Sequence, residues 1–422
     1  MHTIFALSSG APPAAIAVIR ISGPATADAL RSLAGKLPVP RRASLAELRS
    51  TSGDKLDDAL VLWFPGPASA TGEDCGELHL HGGRAIVGAV EDALSGIDGL
   101  RAAKPGEFTR RSFANGRIDL AQAEGLADLL EAETELQRRS AMALANGALS
   151  DQVAAWRDDL LSLSALVESA LDFADEDDVA PLPNDFGDNL GALSASLCQW
   201  LERPRARVLK EGYRVALAGP PNAGKSTLFN VLVECEAAIA SPVAGTTRDV
   251  LTRSIALEGV PLTFVDMAGL HTESADEIEK IGIGRAQKEI CDADLVLWLG
   301  AEGMGPAGCW EVQSQIDTGA HCKSRPDYRV SAVTGEGIET LRSAIIRNAR
   351  GSLPKPGEIA LNERQAELIG EAAEALGGDV PDDLLILGEH LRTARSAFDR
   401  LVGRSGTEDM LDTLFGRFCI GK

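Results

Sequence analysis

Positive charge is scarce in this chain: 41 Lys and Arg stand against 62 Asp and Glu, a formal net charge of −21. That balance excludes a protein coated in cations for non-specific nucleic-acid binding, although it leaves room for a local basic patch. Aromatics are rare at 4%, so Leu, Val, Ile and Ala have to fill the interior. No apolar run approaches the ~20 residues of a membrane-spanning helix, and Met1-His2-Thr3-Ile4-Phe5-Ala6 lacks the basic stretch and apolar run of a secretory leader. The seven cysteines form no Cys-x-x-Cys pair, which fits a reducing compartment better than a disulfide framework or a zinc site. The expectation is a cytoplasmic protein without membrane contact. At 422 residues it has room for roughly three domains.

Three textures follow one another. From Thr3 to about Arg117 strand-like runs (Ala17 to Ile21, Ala59 to Phe64) mix with helix-like stretches (Ala25 to Leu33, Ala85 to Leu94), an α+β pattern. From Leu120 to about Phe173 Gly and Pro nearly vanish, and Leu126, Leu129, Leu130, Leu160, Leu163 and Val167 recur at helical spacing. The acidic Asp175-Glu176-Asp177-Asp178 through Pro183 reads as a solvated turn. From Gly212 to about Asn348 strand-like runs (Tyr213 to Ala218, Leu262 to Val265, Asp294 to Leu299) alternate with helical ones, the mark of a parallel sheet with crossover helices. Helical texture returns from Leu361 to Phe418, so the α/β unit reads as an insertion into a helical domain.

Gly219-Pro220-Pro221-Asn222-Ala223-Gly224-Lys225-Ser226-Thr227 contains G-x-x-x-x-G-K-[ST] directly after a predicted strand. Glycines let backbone N–H groups turn inward around phosphates, and the following helix presents its positive end. Lys225 can reach the β- and γ-phosphates and the Ser226 hydroxyl can ligate Mg²⁺. Downstream, Thr246 or Thr247 in Gly245-Thr246-Thr247-Arg248-Asp249 suits a switch loop. Asp266-Met267-Ala268-Gly269 closes an apolar strand with a carboxylate for the Mg²⁺ shell and an amide for the γ-phosphate. Together these make a P-loop NTPase. In Ser314-Gln315-Ile316-Asp317 the guanine-reading carboxylate stands where Asn-Lys-x-Asp would place it, with Asn and Lys replaced; Ser331-Ala332 lies where a backbone amide would meet the guanine oxygen. Guanine is the expected base, held more weakly than by an intact motif. Leu270 after Gly269 cannot orient an attacking water; Glu279 is the candidate, against its reading as an ordinary exposed helix carboxylate.

The runs at Asn222 to Ser226, Gly245 to Asp249 and Phe418-Cys419-Ile420-Gly421-Lys422 resemble the MnmE (TrmE) family of tRNA modification GTPases, supported by Ile19 to Gly23, Thr71 to Asp74, His81-Gly82-Gly83 and Pro105 to Thr109. The resemblance runs nearly the whole chain. It implies a folate-binding, dimerising α+β domain over 1–117, an all-helical domain over 118–210 and 351–422, and an inserted Ras-like G domain over 211–350. It further implies a homodimer that acts on tRNA with the flavoprotein MnmG. Together they would add an aminomethyl or carboxymethylaminomethyl group at carbon five of the wobble uridine, with a tetrahydrofolate derivative as one-carbon source and FAD on the partner. GTP is the implied substrate, with Mg²⁺ on Ser226 and Thr247. K⁺ falls among Asn222, Ser241, Val243 and Thr246, and Glu279 becomes the water-orienting group. Arg20, Glu77, Arg117 and Lys422 are the implied folate ligands. Cys419 is the implied functional cysteine, either a thiolate nucleophile or a small buried residue beside the folate.

Nucleic acid still has to be met by an acidic chain. Arg101, Lys104, Arg110, Arg111 and Arg117, opposed by Glu107, form one basic stretch, and Arg203, Arg205, Arg207 and Lys210 another. Either meets phosphates or is a solvated face. Two other functions compete with the enzyme: a GTPase switch of the Era type without chemistry of its own, and a folate-binding scaffold whose G domain has decayed at Ser314 and Gln315.

Overall fold

The computed structural model describes residues 2–172, 182–203, 206–234, 251–267, 289–319, 322–355, 358–381, 383–405, 408–416 and 418–421. It divides into two compact units, Met1–Ala127 with Leu149–Arg157 and Arg395–Lys422, and Asp128–Ala148 with Asp158–Ala394. The acidic run from Asp175 lies outside the described residues up to 181.

The first unit is built on β1 (Thr3–Leu7), β2 (Ile16–Ser22), β3 (Ser44–Arg49), β4 (Lys55–Phe64), β5 (Cys75–His81) and β6 (Leu100–Ala102), in the order β3-β4-β5-β2-β1-β6. Alternation sorts the two faces. Ala17, Ile19, Ile21, Leu78 and Leu80 turn inward against Ala29, Leu30 and Leu33 of helix Thr26–Ala34 and Val87, Val90 and Leu94 of helix Arg84–Ser95. Burial of each such side chain contributes about 1.5–3 kcal/mol. The opposite face carries one row of Leu45, Leu60, His79 and Val18 and a second of Leu62, Glu77 and Arg20. The C-terminal stretch of the described chain folds into this unit. Phe415 and Phe418 cluster with Ala123, and Gly421, at φ 96, lies so close to Leu7 that a Cβ there would strike its carbonyl oxygen. The Ser8 hydroxyl then donates to the Gly421 carbonyl at 2.8 Å.

The helical stretch predicted from Leu120 forms Leu120–Glu131, Glu135–Ala145 and Ala148–Asp172; the later one forms Glu363–Leu376, Leu384–Leu401 and Glu408–Phe415. The second unit also holds β7 (Tyr213–Ala218), β8 (Leu251–Leu257), β9 (Val260–Asp266), β10 (Leu295–Trp298), β11 (Trp310–Gln313) and β12 (Tyr328–Arg329), in the order β12-β11-β10-β7-β9-β8. All pairs are parallel except β8 with β9. Leu228, Phe229 and Leu232 of helix Lys225–Glu234 and Leu341, Ile345 and Ile346 of helix Ile338–Gly351 pack with Val215, Leu217, Phe264 and Leu297 into one core. One connection departs from the expected alternation. Residues 299–309, between the parallel β10 and β11, contain no helix, where such crossovers normally carry one. Polar ties hold the loop instead: buried Lys323 donates to the Trp298 carbonyl at 2.7 Å and to Glu311 at 2.5 Å, and Glu302 accepts from the amides of Ser324 and Arg325 at 2.5 and 3.0 Å.

Candidate functional site

Strand β7 lies between β10 and β9 with Val215, Ala216 and Leu217 fully buried, and the phosphate loop leaves its C-terminal end. The loop needs positive-φ backbone at three points: Gly219 at φ 149, Asn222 at φ 63 and Gly224 at φ 84. Helix Lys225–Glu234 follows at once, with Ser226 and Thr227 exposed on its first turn. Lys225 is 4% exposed, and its ammonium spans the loop, donating to the carbonyls of Gly219 at 2.9 Å and Pro220 at 2.8 Å. Burial pushes its pKa down, and the carboxylate of Asp266 opposes that shift. Asp266, 1% exposed, ends β9 opposite Leu217 of β7, so the sheet register delivers an acid beside the phosphate loop. Met267 follows it, buried.

On the other side of the loop is a cavity of about 200 Å³ lined by Gly224, Thr227, Ser314, Gln315, Asp317 and Ala332 among others. Fully buried Ser331 donates its hydroxyl to Asp317 Oδ1 at 2.6 Å and accepts from the Thr334 amide at 3.1 Å. That relay fixes the carboxylate's orientation toward the cavity. The two residues that break the Asn-Lys pattern are engaged. Ser314 Oγ donates to the Ala223 carbonyl at 2.7 Å, and Gln315 Nε2 donates to the Asn222 carbonyl at 3.2 Å. Reading them as bare losses missed these contacts; their fixed spacing ahead of Asp317 was the available signal. The structure thus brings together Asn222, Ala223, Gly224, Lys225, Ser226, Thr227, Asp266, Met267, Asp317, Ser331 and Ala332. Ser241, Val243, Gly245, Thr246, Thr247, Ala268, Gly269 and Glu279 lie outside the described residues.

In the first unit Arg20 and Glu77 are direct partners across β2 and β5. Arg20 Nη2 meets Glu77 Oε1 at 2.9 Å, and His79 Nε2 meets Oε2 at 3.2 Å. Burial works to raise the Glu77 pKa, but the hydrogen bonds of His79 and Arg20 outweigh it and hold it low. Glu77 is therefore an ionised acceptor at neutral pH, half of a pair rather than a surface carboxylate. Gly421 sits at Leu7, one residue beyond Ala6, the β1 partner of Arg20; Lys422 itself lies outside the described residues. Arg117 is exposed, beside Gly72 and Asn115. Cys419 is exposed too, so burial does not account for it in this fold; its neighbours Phe418 and Gly421 are the buried ones.

The basic stretches turn out to be largely neutralised. Arg101 pairs with Glu107, Arg111 lies between Glu73 at 2.9 Å and Glu107 at 3.1 Å, and Arg110 pairs with Asp412 at 2.6 Å and with Glu408. Burial opposes ionisation of Glu107, yet Arg101, the Lys104 amide and Arg111 hold its pKa at about 2. In the second stretch Arg207 pairs with Asp294 and Lys210 with Asp128, while Arg203 stacks on the Trp200 ring; Arg205 lies outside the described residues. These cations are held by their own protein, whereas Lys104 and Arg117 of the first stretch are exposed. Among the described residues no helix is long and apolar enough to cross a membrane.

Comparison with known proteins agrees over the full length. A family model for the MnmE helical domain matches residues 120–419, and one for the N-terminus of the GTP-binding protein TrmE matches residues 3–117. The tRNA modification GTPase MnmE of Novosphingobium aromaticivorans is 62% identical, covering 100% of this chain and 99% of its own. That of Erythrobacter litoralis is 60% identical with 100% of both chains covered. The Zymomonas mobilis protein of the same name is 50% identical, again with 100% of both covered.

Proposed function

Since the chain belongs to the MnmE family of tRNA modification GTPases, we propose a division of labour within it: the second unit runs a K⁺-stimulated GTP cycle, and the first holds a folate and a second copy of the chain. The protein is a GTP hydrolase of tRNA modification. In the fuller reading it works with MnmG to install the aminomethyl-type group on the wobble uridine. The observation that carries this is the joining of an intact phosphate loop to a carboxylate held toward the cavity by Ser331. A decayed domain has no reason to keep both, which favours the enzyme over the scaffold.

The donor set suits the groups it would hold. Ser226 on the exposed first turn, with Asp266 nearby on β9, fits a hard divalent cation that wants oxygen ligands. Asn222 would contribute to a monovalent cation site, where the positive charge offsets what develops between the β- and γ-phosphates. Glu279 would orient the attacking water, and Thr246 and Thr247 would close over the γ-phosphate. Hydrolysis is expected to run several-fold faster in KCl than in NaCl at equal ionic strength; equal steady-state rates reject the cation's role.

For the first unit, Arg20 and Glu77 suit a folate's carboxylate tail and pterin amino group respectively, with Arg117 and Lys422 as further cations. A folate supplies one carbon when bound; these side chains orient it. The same sheet face supports a homodimer. Leu45 is 72% exposed, Leu60 45% and Ile16 59%, and Leu45, Leu60 and Val18 share one cross-strand row beside Arg20 and Glu77. Such a patch, apolar with a polar edge, is what a second copy would cover. Leu60→Glu is expected to turn the dimer into a folded monomer in sedimentation velocity; an unchanged dimer places the interface elsewhere.

A further inference from the structure

We propose that Ser314 and Gln315 form an uncharged clasp between the base-recognition loop and the phosphate loop, in which Gln315 is the residue that positions Asn222. The proposal deepens the guanine-nucleotide reading of this cavity and rests on it. Ser314 is 4% exposed, and its hydroxyl reaches the Ala223 carbonyl at 2.7 Å. Gln315 reaches the next carbonyl back, that of Asn222, at 3.2 Å. Two consecutive residues of one loop thus hold two consecutive carbonyls of the other.

The backbone supports the same assignment. Among the described residues only Arg41, Asn222, Glu258 and Gln315 are non-glycine positions with positive φ, and Asn222 (63) and Gln315 (55) are joined by this hydrogen bond. Left-handed backbone is unfavourable for L side chains and persists where its surroundings hold it. At Gln315 the carbonyl is held by the amide of Thr318 at 3.1 Å and its hydroxyl at 3.0 Å, while the carboxamide holds Asn222. The fit is close: a Cβ on Gly224 would stand 3.1 Å from Gln315 Nε2. Glycine at 224 therefore makes room for the clasp as well as for phosphate.

The clasp has a chemical consequence. Among the described residues lining the cavity none is a cation, and Asp317 brings a negative charge. A lysine at position 315 would make the same contact and add an ammonium beside an anionic ligand. Glutamine makes the contact alone, so nucleotide is held here by loop geometry without that charge.

Dissociation of a fluorescent GDP analogue from the full-length protein, with Mg²⁺ and K⁺ present, tests this. Gln315→Ala and Ser314→Ala are each expected to weaken GDP binding about 2- to 10-fold, the range for one neutral hydrogen bond. Gln315→Lys is expected to bind at least as tightly as wild type, with a gain that shrinks as salt rises. Gln315 is half-exposed, so its variants keep the test independent of folding should Ser314→Ala unfold. If Gln315→Ala binds GDP within 1.5-fold of wild type, or if Gln315→Lys binds no better than Gln315→Ala, the clasp is overturned. Wild-type protein that fails to bind GDP removes the underlying reading, and the clasp with it.

Discussion

Asp317→Asn is expected to exchange the base that this protein accepts, losing GTP and gaining xanthosine triphosphate. Guanine presents two donors, its ring N1–H and its C2 amino group, to a carboxylate with two acceptor oxygens. The Ser331 hydroxyl decides how the replacement amide sits. Its oxygen already accepts from Thr334, so it donates to Oδ1 at 2.6 Å; the amide keeps that bond by leaving its oxygen there and turning Nδ2 to the base. A guanine amino group then faces another donor, whereas the C2 carbonyl of xanthine faces a matched one. Hydrogen bonds to charged groups contribute about 1.5–3 kcal/mol each, so losing the one to the guanine amino group predicts a fall in GDP affinity of roughly 10–10²-fold. Calorimetric titration with GDP and with xanthosine diphosphate would measure both. Retention of GDP affinity within threefold would mean that Asp317 is not the group that reads the base.

Lys225→Met should abolish most turnover with the fold intact. Methionine keeps the apolar stem in its buried channel and removes only the ammonium. The bonds lost go to the Gly219 and Pro220 carbonyls, which lie in a loop that water can reach, so the stability cost stays small. Catalytically the loss is large, because a preorganised cation aimed at developing phosphate charge contributes about 10²–10³-fold. Burial lowers the Lys225 pKa, and the carboxylate of Asp266 works against that fall. Single-turnover hydrolysis of GTP is the measurement, with the melting temperature as control. A rate within threefold of wild type at an unchanged melting temperature would remove Lys225 from the chemistry.

Several features were legible because they are local. Tyr213 to Ala218 reads as a buried strand from composition alone, and Gly219 to Ser226 reads as a phosphate loop from spacing. The helical runs after Leu120 and Leu361 follow from helical texture, helped in the first by the near-absence of Gly and Pro. Other features were not legible. Arg101, Arg110 and Arg111 look like a nucleic-acid patch along the chain, yet Glu73, Glu107, Glu408 and Asp412 claim them in space. Residues 299–309 carry no helix although the alternation of the unit called for one; the amides of Ser324 and Arg325 hold Glu302 within that loop, and Lys323 bonds Trp298 and Glu311 at its two ends.

Sequence by itself determined the class of this protein, since glycine spacing, strand periodicity and the ordered runs from Ile19 to Lys422 are properties of neighbouring residues. Only the tertiary structure decided what the altered motif does and where Gly421 goes. Ser314 looks like a missing asparagine until Ala223, far away along the chain, lies 2.7 Å from its hydroxyl. Gly421 is one residue of a short run along the chain, but in the fold Leu7 leaves no space there for a side chain. Pattern is written within a few residues, but a hydrogen-bond partner is chosen by whichever distant segment the fold brings alongside.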